Sequence, residues 1–216
     1  HIRSRRQRQM CIRDRFNESG IKEFRNSIPD HFRARRSNFF ILLGTLIFKF
    51  YGWKIEGSLP NKKRVIITAA PHTSYEDFIR AFPLVLALDI KVNFLAKDSI
   101  FKFGIKHFFS WLGGIPVNRN APIGAKKFIS NLGHERDAIL LGITPEGTRK
   151  KVIKWKTGFL RIAKEINAEI VLTGLDFEHK RFVFGEIFKP TGDNEKDINS
   201  LKLYFKKYKG KHPERY

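Results

Sequence analysis

From residue 62 onward, short apolar runs typical of buried strands alternate with stretches of helical periodicity, and this alternation strongly constrains the fold. Alternation of this kind favours a parallel sheet with helices on its faces. We therefore predict an α/β fold with a largely parallel central sheet flanked by helices. Strands are predicted at 64–69, 92–96, 114–118, 138–144, 170–175 and 182–188, the last of them a candidate antiparallel strand. Helices are predicted at 75–88, 101–112, 123–134, 158–167 and 195–209.

The chain of 216 residues is long enough for one domain, and it contains no internal repeat and no long linker. We divide it into three parts. Residues 1–15 have no apolar periodicity and resemble translated sequencing-adapter sequence, so they are excluded from fold reasoning. The alternative is a genuine basic arm for nucleic acid or lipid. Residues 16–61 form an amino-terminal lead-in with a membrane-interface helix, and residues 62–216 form the α/β domain.

An apolar segment over residues 39–53 predicts a helix that faces a membrane. Its fifteen residues would give a helix of about 22 Å, too short for a bilayer core of about 30 Å. Arginines precede the segment and aromatic residues end it, which suits burial in the headgroup region. The alternative is a helix that packs on the core of the domain itself.

The charge of the chain is strongly basic, with 42 Lys and Arg against 21 Asp and Glu, a formal net charge of +21. Residues 1–15 hold six Arg and one Asp, or +5, which leaves +16 for the remainder. A basic surface attracts anionic membranes, phosphate-bearing substrates and nucleic acid. A basic nucleic-acid-binding module is thus the alternative from another functional class. The chain lacks a zinc-ligand pattern, a basic zipper and an RNP-type motif, so no nucleic acid is expected as a partner.

A histidine and an aspartate follow the first predicted strand of the domain, as His72 and Asp77. Pro71 should end the strand, and a capping box of Thr73 and Glu76 should open the helix. His72 would then lie on the turn, where the Asp77 carboxylate can reach a ring nitrogen and orient a general base. No nucleophilic Ser or Cys accompanies the pair, which favours direct attack by a substrate hydroxyl. The alternative is a polar turn residue beside a carboxylate at a helix start.

Two further groups of polar residues follow predicted strands, and the carboxyl ends of parallel strands meet at one edge of a sheet. Arg119 offers a planar fork of donors that matches a phosphate, with a surface salt bridge as the alternative. In the sequence 145–149, Glu146 can accept hydrogen bonds from hydroxyls, Gly147 permits a close turn, and Arg149 is a second cationic fork. Backbone N–H groups of residues 73–75 are candidates for stabilising an oxyanion.

These motifs occur in a recognisable order: His72-x4-Asp77, then Gly-Ile-Pro-Val-Asn-Arg at 114–119, then Pro-Glu-Gly-Thr-Arg at 145–149 and Lys-Trp-Lys-Thr-Gly-Phe at 154–159. From about residue 50 to 191 the chain resembles the glycerolipid acyltransferases, and within them the small bacterial 1-acyl-sn-glycerol-3-phosphate acyltransferases. The resemblance implies that 62–216 is an acyltransferase domain with His72 as general base and Asp77 as its orienter. It also implies an acceptor site whose members are Arg119, Glu146, Gly147, Thr148 and Arg149.

The resemblance implies transfer of a fatty acyl group from acyl-CoA or acyl-carrier protein to a lysophospholipid hydroxyl in phospholipid biosynthesis. The expected acceptor is 1-acyl-sn-glycerol-3-phosphate, with a different lysolipid as the alternative. No metal or bound cofactor is expected, and the partners are a membrane lipid surface and both substrates. The expected location is peripheral, at the cytoplasmic face of the bacterial inner membrane. One departure is Leu172, which stands where the family's fourth motif usually has a proline, and it leaves the donor preference open.

Overall fold

The computed structural model describes residues 20–101, 105–117 and 136–216. The helices are α1 (residues 20–27), α2 (Asn38–Phe50), α3 (Glu76–Ala87), α4 (Ile105–Trp111), α5 (Gly158–Glu165) and α6 (Asn194–Phe205). The strands are β1 (Lys54–Gly57), β2 (Arg64–Ala70), β3 (Asn93–Lys97), β4 (Gly114–Val117), β5 (Ile139–Ile143), β6 (Glu169–Asp176) and β7 (Arg181–Phe188). Short 3₁₀ turns lie at Asp30–Phe32, Asp98–Phe101 and Pro213–Arg215. The predicted helix at 123–134 lies outside the described residues.

The described strands form one seven-stranded sheet in the order β1-β7-β6-β2-β5-β3-β4. Neighbouring strands are parallel except for β6 and β7, which pair antiparallel. This arrangement confirms the predicted α/β fold with a largely parallel sheet. Strand β2 lies between β6 and β5, and its residues are mostly apolar and mostly buried, as expected for a strand covered on both faces.

The sheet separates two hydrophobic cores. One lies between the sheet and α1, α2 and α3, and it contains Phe24, Phe32 and Phe48 together with Val65 of β2. The other lies between the sheet and α5 and α6. The segment before residue 62 therefore shares a core with the α/β domain, and β1 extends the sheet at its edge.

Helix α2 packs on α3 through a close approach at Gly44. A Cβ atom at this position would lie 2.5 Å from the Cβ of Leu86 and 2.7 Å from the Pro83 carbonyl oxygen, so only glycine allows the two helices to come so near. Phe48 is fully buried on the same side of the helix. The packed face agrees with the alternative in which this helix belongs to the core of the domain.

The opposite side of α2 carries an exposed apolar surface, here called the α2 apolar face. Four of its side chains are each more than half exposed, and their spacing places them within about 80° of one another around the helix axis. They are Phe39, Leu42, Leu46 and Phe50. One helix thus combines a face packed on the protein with an apolar face that is exposed in the described part of the chain. Within the described ranges, no helix has the length and apolarity needed to cross a membrane.

Candidate active site

The turn that carries the candidate base, residues 71–75, connects β2 to α3 and is here called the base turn. The predicted capping box is wrong. The helix begins at Glu76 with Tyr75 as N-cap, and Tyr75 makes no capping hydrogen bond with its side chain. The Thr73 hydroxyl instead accepts a hydrogen bond of 3.1 Å from the backbone of His212. The carboxylate of Asp77 satisfies the backbone donors of the turn, so a threonine cap is unnecessary.

The predicted contact between His72 and Asp77 is present, with Nδ1 2.8 Å from Oδ2. The same carboxylate oxygen accepts hydrogen bonds from the backbone N–H groups of Thr73 and Ser74, at 3.0 and 3.1 Å. Because the carboxylate accepts at Nδ1, that nitrogen carries the ring hydrogen and Nε2 keeps its lone pair. The His72 side chain is 19% exposed and Asp77 is buried, so the base is reachable while its orienter is shielded. The pair has the geometry of an oriented general base.

The hydrogen bonds of Asp77 also show that two of the backbone N–H groups predicted to stabilise an oxyanion have another partner. The N–H groups of Thr73 and Ser74 point at the Asp77 carboxylate and are therefore occupied. Of the three backbone donors predicted for an oxyanion, only that of Tyr75 is left as a candidate.

Glu146 lies directly behind the base turn, because β5 pairs with β2 and both strands end at the same edge of the sheet. Its Oε1 accepts a hydrogen bond of 2.9 Å from the His72 backbone N–H, and its Oε2 is buried without a partner among the described residues. The side chain is only 5% exposed. Burial raises the pKa of Glu146 to about 7, and the nearby Asp77 carboxylate adds to the rise. Its contact is thus with the base turn, and a contact with substrate hydroxyls stays a prediction.

The rest of the loop 145–149, here called the acceptor loop, places Arg149 beside the base turn. Gly147 has a φ of +66°, a backbone conformation that favours glycine, as the sequence suggested. The guanidinium carbon of Arg149 lies 3.6 Å from the ring centroid of Tyr75. Among the described residues this guanidinium makes no hydrogen bond and no ion pair. Thr148 accepts a hydrogen bond from the Lys150 backbone, and Arg119 lies outside the described residues.

The carboxyl-terminal segment, residues 209–216, contacts the base turn and was not identified from the sequence. In addition to the His212 contact, Arg215 donates to the Thr73 carbonyl oxygen at 3.4 Å, and Lys211 pairs with Glu76 at 3.3 Å. A Cβ atom at Gly210 would lie 2.6 Å from the Thr73 hydroxyl. These contacts join residues about 140 positions apart, and no local sequence pattern predicts them.

A second histidine–aspartate pair lies at the turn between β6 and β7. Nδ1 of His179 is 2.8 Å from Oδ2 of Asp176, the same distance as in the first pair. Here Arg181 donates to the same oxygen at 3.0 Å, and the histidine is mostly exposed. With Glu178 these two residues form a group of three potential metal ligands in the described part of the chain, but Lys209 pairs with Glu178. Both carboxylates are thus already neutralised by cations.

Leu172, at the position of the expected proline, lies buried in β6. The pairing of β6 with β7 shifts register between Val171 and Thr173, where two residues of β7 lie opposite Leu172 alone. The extra residue is therefore on β7, and Leu172 keeps its regular register with Thr68 of β2.

Comparison with known proteins concerns the fold and the family of the chain. The fold is similar to the crystal structure of the 1-acyl-sn-glycerophosphate (LPA) acyltransferase PlsC from Thermotoga maritima, with a TM-score of 0.53 over 78% of this chain and 77% of that chain. The sequences are 19% identical, so this likeness concerns the fold. No curated protein sequence matches the chain significantly. Residues 53–173, more than half of the chain, match the sequence model of the Acyltransferase family and include His72, Asp77 and the acceptor loop. The chain therefore belongs to the Acyltransferase family.

Proposed function

We propose that this acyltransferase moves a fatty acyl group from an acyl thioester, acyl-CoA or acyl-carrier protein, to the free hydroxyl of a lysophospholipid, with 1-acyl-sn-glycerol-3-phosphate as the acceptor. The observation that carries the proposal is the His72–Asp77 contact of 2.8 Å with the Nε2 side of the ring left available. In the described part of the chain, no serine, threonine or cysteine side chain hydrogen-bonds this imidazole. The nucleophile is therefore assigned to the substrate.

In the proposed reaction, Nε2 of His72 removes the proton of the acceptor hydroxyl while the hydroxyl oxygen attacks the thioester carbonyl carbon. The carbonyl oxygen becomes an oxyanion, and Asp77 stabilises the imidazolium that has formed. The intermediate then collapses, the carbon–sulfur bond breaks, and the leaving thiolate takes the proton from Nε2. An ester and a free thiol are the products, and the histidine returns to its starting state.

Arg149 supports a phosphate-bearing acceptor. Its guanidinium lies beside the base turn and has no hydrogen-bond or ion-pair partner among the described residues, so its donors are available. A guanidinium presents paired donors that match two oxygens of a phosphate. Arg119, Gly147, Thr148 and Glu146 complete the proposed acceptor site by family resemblance.

The proposed location is the cytoplasmic face of the bacterial inner membrane, where a lysophospholipid acceptor would lie. The α2 apolar face supports attachment, because exposed apolar surface on a helix stabilises binding at the headgroup boundary. Arg35 is exposed shortly before this helix and would favour anionic lipids. The protein would thus be a peripheral membrane enzyme.

The test is an acyl-transfer assay with the purified protein on lysophosphatidate and a panel of other lysolipids, using palmitoyl-CoA and palmitoyl-carrier protein as donors. Loss of a general base lowers a rate by roughly 10²- to 10⁴-fold, so His72→Ala should lose kcat by that factor. His179→Ala is the matched control, because it removes a histidine with the same 2.8 Å contact to an aspartate. Absence of transfer by the wild type with every pair of substrates would refute the proposal. So would a folded His72→Ala protein with undiminished kcat.

A further inference from the structure

The acceptor loop and the base turn meet through one aromatic contact. The Arg149 guanidinium carbon lies 3.6 Å above the centroid of the Tyr75 ring, within the range of a cation–π interaction. Tyr75 lies between His72 and Asp77 in sequence, so the ring belongs to the same turn that holds the base. The contact therefore connects the arginine of one motif to the backbone of the other.

Among the described residues, the structure shows no other role for the Tyr75 ring. Tyr75 is 70% exposed and outside both hydrophobic cores, and its side chain makes no capping hydrogen bond to α3. Its backbone has φ −67° and ψ −24°, a conformation open to any residue. A large aromatic side chain at so exposed a position contributes little to packing.

Stacking leaves the donors of a guanidinium free. The five N–H groups of arginine lie in the plane of the guanidinium, and the ring covers only one face of that plane. An arginine held flat on a ring thus loses side-chain freedom without losing hydrogen-bonding capacity. Less entropy is then lost when it binds an anion.

We propose that Tyr75 is a positioning residue for the acceptor: its ring holds the Arg149 guanidinium at a fixed place beside the base turn, and so sets where a phosphate lies relative to His72. This inference rests on the proposed function, in which Arg149 binds the acceptor phosphate. Because the Tyr75 ring and His72 belong to the same short turn, the geometry of this turn sets the distance between the bound phosphate and His72.

The experiment compares Tyr75→Phe with Tyr75→Leu in steady-state kinetics on lysophosphatidate. Phenylalanine keeps the aromatic face, whereas leucine keeps the apolar bulk but has no aromatic face. Tyr75→Leu should raise KM for lysophosphatidate by roughly two- to thirty-fold. The lower factor corresponds to an exposed cation–π contact and the upper factor to a desolvated one. Its kcat should stay within about twofold of wild type. Tyr75→Phe should restore the wild-type KM.

Two further measurements separate positioning from a general structural effect. In an Arg149→Ala background, Tyr75→Leu should raise KM no further, because the ring acts through the arginine. Tyr51→Leu is the matched control, since Tyr51 carries another stacked arginine, Arg80, with 4.0 Å between guanidinium carbon and ring centroid. It should leave the KM for lysophosphatidate unchanged.

The outcomes distinguish this inference from the proposed function. A wild type that transfers no acyl group to lysophosphatidate would overturn the proposed function and this inference with it. A wild type that does so, with unchanged KM in Tyr75→Leu, would overturn only the role of Tyr75. Additive effects of Tyr75→Leu and Arg149→Ala, or a fall in kcat at constant KM, would also contradict it, because the ring would then act on the base turn itself.

Discussion

Replacing Glu146 by glutamine should remove a pH dependence of stability that this buried carboxyl group gives to the wild-type protein. Burial raises the pKa of Glu146 from 4.5 to about 7 in the folded state. The folded protein therefore holds a proton on Glu146 over a pH range in which the unfolded chain has released it. Protonated Glu146 stabilises the fold, and this contribution is complete below about pH 4.5 and is lost as the pH rises through about 7.

The magnitude follows from the size of the pKa shift. One unit corresponds to about 1.4 kcal/mol, so the whole contribution is about 3 kcal/mol, of which about 2 to 3 kcal/mol is lost between pH 5 and pH 8. Glutamine is neutral throughout and can still accept the hydrogen bond from the His72 backbone. Its amide places donors where Oε2 has no partner among the described residues, which costs about 1–3 kcal/mol at every pH. The variant should therefore be less stable at pH 5 and approach the wild type by pH 8.

The assay is urea denaturation of wild type and Glu146→Gln at several pH values from 5 to 8. The measured quantity is the difference in free energy of unfolding between the two proteins at each pH, in which the titration of distant groups cancels. Glu186→Gln, at an exposed position of β7, is the control and should follow the wild type throughout. A difference between Glu146→Gln and wild type that stays constant from pH 5 to 8 would show that the carboxyl titrates as it does in the unfolded chain.

Two further predictions concern the α2 apolar face and the carboxyl-terminal segment. Serine at all four positions of the α2 apolar face should release the protein from anionic vesicles in a flotation assay with little change in Tm, because these side chains do not pack in the core. Leu203→Ser, at a largely exposed leucine of α6, should leave binding intact, and unchanged flotation of the fourfold variant would contradict this attachment. Thr73→Val removes the hydroxyl that accepts the His212 N–H and should lower the free energy of unfolding by about 1–3 kcal/mol. Urea denaturation checks this, and a variant as stable as wild type would show that the contact of the carboxyl-terminal segment is dispensable.

The fold was largely predictable because strands β2, β3, β5 and β6 are apolar runs separated by helical periodicity. Strand β1 was missed, since Lys54–Gly57 is short, mostly exposed and at the sheet edge, where no apolar pattern is required. For α2, the sequence offered membrane and core as alternatives, and the structure shows an apolar helix with one packed and one exposed face. Amphipathic periodicity cannot distinguish these cases when both faces are apolar.

The pairing of His72 with Asp77 was predictable because a strand, a proline and a helix start fix the turn between them. The partners of Thr73 were not, since its hydroxyl bonds to His212 and its carbonyl to Arg215, both brought near only by the folded carboxyl-terminal segment. The capping prediction failed because the Thr73 hydroxyl, which local spacing marks as a cap, bonds to His212, while the Asp77 carboxylate satisfies the backbone donors of the turn. Local rules fail here because tertiary contacts occupy the same atoms.

The two buried carboxyl groups near the base illustrate how the same residue chemistry takes different roles. One oxygen of Asp77 accepts hydrogen bonds from two backbone N–H groups and from the His72 ring. Glu146 shares the burial but has fewer donors, and the nearby Asp77 carboxylate helps to raise its pKa to about 7. Asp77 is the carboxylate that faces the imidazole, and in the proposed reaction it stabilises the imidazolium formed when the hydroxyl proton is removed. Glu146 is largely neutral below about pH 7. It can therefore accept the hydrogen bond from the His72 backbone without adding a second full negative charge that would compete for the proton.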